Sequence, residues 1–245
     1  MIISTCVLLR NSFIIIAALC LFAGCDSSSQ EQQVIQLDKL ETLPPPPSEQ
    51  AGDTLKVAVA AILSPQGTIQ SYQPFLRVLE SKTGKKVVLI QRKTYQEVNN
   101  LLIRNVVDVA FVCTGAYVKQ KEHMALLAIP QIDGKKTYRS LLIVPKTSNV
   151  ETFENLRGKV FAFTDPLSNT GYRYPLTLLQ KLDQKPESFF SRTIFTYSHD
   201  RSIDSVVDGI ANGAAVDSIV YDFFKKRDPQ VGANTRVIKK SKEFG

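Results

Sequence analysis

The sequence predicts an α/β protein of two lobes, each a mostly parallel sheet flanked by helices, with a ligand cleft between them. Three observations carry this expectation. From Leu55 onward short apolar runs alternate with segments of helical period, the rhythm of strands joined by crossover helices. The rhythm restarts near Pro145 and gives a second unit of similar size. Small polar residues follow the ends of several apolar runs, the edge at which open α/β sheets bind ligands. The expected division is a first lobe over 54–144 and a second over 145–235. Residues 236–245 read as a crossover back toward the first lobe that stops before a domain is finished.

In the first lobe, strands are expected over 55–61 (LKVAVAA), 86–91 (KVVLIQ) and 108–113 (DVAFVC). Helices are expected over 69–82, with Phe75, Leu76 and Leu79 on one side, over 95–104 and, briefly, over 115–120. Apolar runs at 124–130 and 140–144 predict two more strands. In the second lobe a helical turn at 153–156 precedes a strand within 158–164. A helix over 172–182, a strand over 193–196, a helix over 202–212 and a strand over 215–220 follow. A short helix over 222–227 and a strand over 236–239 complete the pattern.

The N-terminal segment is read apart from the fold. Residues 1–25 carry one charge, Arg10, and an apolar run over 13–23. That run is shorter than the ~20 residues needed to span a bilayer, and it reads as an export signal. Leu21-Phe22-Ala23-Gly24-Cys25, followed by Asp26 and three serines, resembles a bacterial lipobox. Cleavage after Gly24 would remove residues 1–24 and leave Cys25 to carry lipid. Residues 25–53 then form a polar linker, and the prolines at 44–47 favour an extended, semi-rigid spacer. Membrane attachment on the periplasmic or outer face is the expectation. Of four cysteines, at 6, 20, 25 and 113, only Cys113 belongs to the folded part, so no internal disulfide is expected there.

Charge and motif content limit the function classes. The formal net charge is +7, and loss of Arg10 with the signal leaves +6. The cations are scattered, with small clusters at Lys135-Lys136, Lys225-Lys226-Arg227 and Lys239-Lys240. No basic stripe is interleaved with aromatics, so nucleic acid is not the expected partner. A positive field favours small anions. No catalytic triad, paired carboxylates or metal-ligand cluster is evident, and no cofactor or catalytic residue is expected.

Three segments are candidates for binding chemistry. In Thr164-Asp165-Pro166-Leu167-Ser168-Asn169-Thr170-Gly171-Tyr172, a strand-like run leads in and a helix-like run leads out. Helix N-termini leave N–H groups free and carry partial positive charge. Hydroxyls and a glycine there suit either an anion pocket or an ordinary cap. Cys113 and Thr114 end the strand over 108–113. A free cysteine there is either a pocket residue or a small buried hydrophobe, and Thr114 is either a pocket residue or a cap. His199 in Tyr197-Ser198-His199-Asp200 either faces an anion, bonding to it or carrying charge toward it, or serves a loop.

Together these segments, with Arg92-Lys93-Thr94-Tyr95, the 107–117 stretch and Tyr138-Arg139-Ser140, resemble the periplasmic solute-binding proteins of phosphate, phosphite and phosphonate ABC transporters. The similarity runs from about Leu55 to Gly245, and Asp-Pro-x-Ser-x-Thr-Gly-Tyr at 165–172 is its most specific part. The resemblance implies a type II binding protein, two α/β lobes closing on a small oxyanion, and no enzymatic activity. It implies that Ser168, Thr170 and backbone N–H groups around Asn169, Gly171 and Tyr172 hold the oxyanion. It further implies that Tyr95 and Tyr138 close over the oxyanion, that His199 reaches it from the second lobe, and that Asp217 selects a ligand amino group. The implied partner is an ABC permease. Cys113 departs from the glycine or other small residue of many relatives and is similar to arsenite-recognising relatives. In that alternative the partner is a sensor histidine kinase.

Overall fold

The computed structural model describes residues 52–244. The expected signal, the lipidation site Cys25 and nearly all of the linker lie outside the described residues. The first half of the described chain runs β1 (Thr54–Val59), α1 (Pro65–Thr83), β2 (Lys86–Gln91), α2 (Tyr95–Ile103), β3 (Val109–Phe111) and α3 (Thr114–Gln120). Its sheet has the order β2-β1-β3, all parallel. The run Val57-Ala58-Val59 is wholly buried, as a central parallel strand covered on both faces requires. Local chemistry fixes the helix ends. Ser64 Oγ accepts from Gly67 N–H with Pro65 at the first helical position of α1, and Gly84 ends that helix at φ 66°. Thr94 and Glu97 form a reciprocal capping box at the start of α2.

The second half runs β4 (Ser140–Pro145), β5 (Val160–Phe163), a π-helical turn over Asn169–Arg173, α4 (Tyr174–Lys181), α5 (Pro186–Phe189), β6 (Arg192–Phe195), α6 (His199–Val207), β7 (Gly213–Asp217), α7 (Ser218–Arg227), α8 (Pro229–Asn234) and β8 (Thr235–Lys240). Its sheet has the order β6-β5-β7-β4-β8. β5 is parallel to β6 and β7, whereas β4 is antiparallel to β7 and β8. One face of this sheet is packed by Phe153, Phe161, Phe163, Phe189 and Phe190, with Phe161 and Phe190 stacked at 4.6 Å. The other face packs on Ile203 and Val206 of α6.

Several expectations change. The strand expected over 140–144 forms, but in the second sheet rather than the first lobe. Leu142, Ile143 and Val144 are fully buried there between β7 and β8. No strand forms over 124–130, where Leu126, Leu127 and Ile129 are more than half exposed. That segment pairs with no strand among the described residues. β8 does not cross to the first sheet but forms an edge of the second beside β4. The helix expected over 202–212 starts at His199 and ends at Val207, and the strand expected over 215–220 stops at Asp217, which caps α7.

Candidate functional site

The loop after β5 is built by its own side chains. Asp165 is 1 % exposed. Its Oδ1 accepts from Leu167 N–H at 2.8 Å, and its Oδ2 accepts from Tyr95 N–H at 3.1 Å. Ser168 Oγ accepts from Gly171 N–H at 2.9 Å, and Arg173 N–H donates to Ser168 O at 3.0 Å. That five-residue reach makes the turn π-helical, a widened form frequent at functional sites. Gly171 does not open the backbone toward a ligand. A Cβ there would lie 2.3 Å from Thr164 Oγ1, so glycine lets the turn press onto the end of β5. Tyr172 turns its ring away onto Phe163 and Phe195, at 5.0 and 5.4 Å.

Around this turn several expected residues converge. Tyr95 is wholly buried, and its hydroxyl has no hydrogen-bond partner. Burial, followed by the nearby ionisable groups Cys113, Asp165, Asp217 and Tyr138, pushes its phenol well above the usual range. The Tyr138 hydroxyl is also buried without a partner. Its pKa rises to about 12, chiefly by burial and then by Cys113, while Thr114 and Asn169 beside it act in the opposite sense. Neither neighbour closes a well-formed bond to it. The Thr170 hydroxyl is a third buried atom without a partner, while its carbonyl accepts from Ser140 Oγ at 2.7 Å. Such atoms are costly to leave unmade, and one of the three, the Thr170 hydroxyl, belongs to the turn itself.

Asp217 adds a carboxyl to this group. Its Oδ1 accepts from Ile219 N–H at 2.8 Å as the cap of α7. Burial raises its pKa to about 6 despite those bonds. Cys113 is half-buried, and burial raises its thiol pKa against the opposing backbone amides of Asn169, Gly115 and Ala116. It is therefore a thiol rather than a thiolate.

His199 is 1 % exposed. Burial lowers its pKa to about 3, partly countered by Asp200. Its Nδ1 accepts from Asp217 N–H at 3.1 Å and lies 3.2 Å from Thr164 Oγ1, which leaves the ring proton on Nε2. The imidazole is thus a neutral donor, and it carries no charge toward an anion.

A sequence model of a family described as the periplasmic phosphonate-binding proteins of ABC transporters matches residues 57–245. The chain belongs to this family. It is 29 % identical over 163 residues to the phosphate-import protein PhnD of Mycolicibacterium smegmatis, covering 61 % of this chain and 51 % of that protein. The chain thus spans about half the length of that curated relative. The binding-protein component of an ABC phosphonate transporter from Pseudomonas aeruginosa has a similar structure, with TM-score 0.73, 22 % identity, and 78 % and 66 % of the two chains covered. PhnD1 of Prochlorococcus marinus, solved with methylphosphonate, gives TM-score 0.68, 20 % identity, and 78 % and 74 % covered. The fold is accordingly the two-lobed type II binding-protein fold, and the family is one of substrate-binding proteins rather than enzymes.

Within this phosphonate-binding family member, Cys113 packs in the cluster that buries Tyr95. Tyr95, Cys113, Tyr138 and Asp217 are near enough to act on one another's ionisation, with Thr114 and Asn169 beside Tyr138, and His199 joins them through the Asp217 N–H. Ser168 serves as a cap, and Gly171 and Tyr172 serve packing. Sequence reasoning gave no role to Asp165, Asp200 or Ser198. The Ser198 hydroxyl is buried without a partner immediately before α6. Asp165 and Ser198 both lie inside quoted motifs, but only side-chain direction distinguishes them from their neighbours.

Proposed function

We propose that the protein captures a small phosphorus oxyanion (a phosphonate, phosphite or phosphate) and delivers it to an ABC permease. The observation that carries this is that the Tyr95, Tyr138 and Thr170 hydroxyls are all buried and unpartnered, the last of them on the turn over Asn169–Arg173. Their O–H groups suit an acceptor-rich ligand. The phosphate and methylphosphonate named for the two PhnD relatives support the same ligand class. Asp217 adds an acceptor when ionised, suited to a ligand amino group or an acidic ligand proton. Export, and a lipid anchor at Cys25 facing the periplasm or outer surface, belong to the same proposal. Calorimetry of the purified protein with methylphosphonate, phosphite and phosphate should give saturable binding to at least one. Tyr95→Phe and Thr170→Val should each weaken it by about tenfold or more, since a hydrogen bond to a charged group contributes ~1.5–3 kcal/mol. No heat with any of the three, from folded protein, would end this proposal.

The position of Cys113 beside the two tyrosines favours one second reading, an arsenite-type sensor acting through a histidine kinase. Trivalent arsenic binds thiolate, and burial here favours the thiol. We therefore rank it below transport. Arsenite binding that is lost in Cys113→Ser, with phosphonate binding absent from both proteins, would reverse the order.

A further inference from the structure

The two lobes exchange leucines, and the second lobe gives two carboxylates to the first. Leu63, on the loop after β1, is buried in the second-lobe cluster with Ile203, Val206 and Val216. Leu167, on the loop after β5, is buried in the first-lobe cluster with Tyr95, Val98 and Ala116. Beside Leu63, both oxygens of Asp200 accept from Ser64 N–H at 2.9 Å, where the 19-residue α1 begins. His199 N–H donates to Ile62 O at 2.9 Å on the same arm. Near Leu167, Asp165 Oδ2 accepts from Tyr95 N–H, the first residue of α2. The two leucines cross between the lobes in opposite directions, whereas both carboxylates reach from the second lobe to the first.

Asp165 and Asp200 are 1 % and 4 % exposed, and neither is in an ion pair among the described residues. A buried carboxylate without a cation is costly unless hydrogen bonds and dipoles replace its hydration. Here part of that replacement comes from the opposite lobe, through N–H groups and the partial positive charge at the starts of α1 and α2. Each carboxylate also takes an N–H from its own lobe, Leu167 for Asp165 and Arg201 for Asp200.

We propose that Asp200 with Leu63, and Asp165 with Leu167, form two clasps that hold the lobes closed and so set the affinity of the pocket. The effect on affinity rests on the oxyanion-binding function proposed above; the clasps themselves rest on the contacts. The carboxylates act as positioning residues. A pocket that binds only when closed has an affinity scaled by the closed fraction. Weakening a clasp therefore lowers affinity by one common factor for every ligand, whereas loss of a direct contact changes the ranking of ligands.

Two measurements on the full chain test this. In calorimetry, Asp200→Ala and Asp165→Ala should weaken binding of methylphosphonate, phosphite and phosphate by the same factor, about ten- to a hundredfold for one charge-assisted bond. Asp200→Asn, which keeps an acceptor without the charge, should fall in between. In hydrogen exchange without added ligand, Asp200→Ala should speed exchange at 95–99 and 165–171 as well as at 62–67, because both clasps report one closure. Asp165→Asn replaces Asp165→Ala in both measurements if the alanine variant does not fold. Acceleration confined to 62–67, or a factor that differs strongly among the ligands, would overturn the clasps. Absence of binding by the wild type would instead overturn the proposed function, and the exchange result would still decide for or against the clasps.

Discussion

His199 and Asp217 share a hydrogen bond, from the Asp217 N–H to His199 Nδ1 at 3.1 Å, yet burial moves their titrations in opposite directions. His199 falls from 6.5 to about 3. The unfolded chain takes up a proton that the native chain refuses, so stability is lost as pH drops from 6.5 toward 3. Asp217 rises from 3.8 to about 6. The native chain keeps a proton that the unfolded chain releases, so this contribution is full below 3.8 and is lost as pH climbs to about 6. Each slope is roughly 1 kcal/mol per pH unit, and between 3.8 and about 6 they offset. Urea midpoints across that window should show a weak pH dependence from this pair in the wild type. His199→Gln should gain stability toward acid relative to wild type, and Asp217→Asn should lose it. Parallel profiles for all three proteins would refute the assignment.

The turn over Asn169–Arg173 separates capping from binding within three residues. Ser168 Oγ holds the Gly171 N–H, so Ser168→Ala should lower stability by ~1 kcal/mol and leave affinity near the wild-type value. The Thr170 hydroxyl is buried without a partner, so Thr170→Val should preserve or raise stability while affinity falls. Thermal melts paired with calorimetry check both, and equal affinity losses for the two variants would sink the distinction. Both residues are small hydroxyls in one motif, and the sequence marks the segment without telling which oxygen is spent on the backbone. The same limit applies to strands. The apolar runs at 55–61 and 124–130 look alike in sequence, but only the former has β2 and β3 to pair with. The run at 140–144 was legible as a strand, yet its place between β7 and β8 depends on pairings about 70 and 95 residues away. The neutral state of His199 was equally hidden, because it follows from burial rather than from residue type.

At the scale of the molecule, two glycines with similar crowding should behave differently. A Cβ at Gly171 would meet Thr164 within the second lobe, whereas a Cβ at Gly115 would lie 2.3 Å from Leu167 O, across the cleft. Gly115 belongs to α3, in which alanine is favoured over glycine by roughly 0.5–1 kcal/mol. The first lobe can therefore accept Gly115→Ala by letting the second lobe move away, an escape that Gly171→Ala lacks. Gly171→Ala should destabilise the fold, since overpacking costs ~1–3 kcal/mol. Gly115→Ala should melt within ~1 kcal/mol of the wild type, because relief of the clash and the helical gain act together. Its cost should appear on closing instead, as an affinity loss of about ten- to a hundredfold, equal for each oxyanion because the added methyl opposes closure and not a particular ligand. At a ligand concentration that saturates the wild type, small-angle scattering of Gly115→Ala should then report a larger radius than for the wild type, and the difference should close only at much higher ligand concentration. A Gly115→Ala protein that binds with wild-type affinity, or that loses stability as Gly171→Ala does, would show that the contact between α3 and the loop carrying Leu167 does not govern closure.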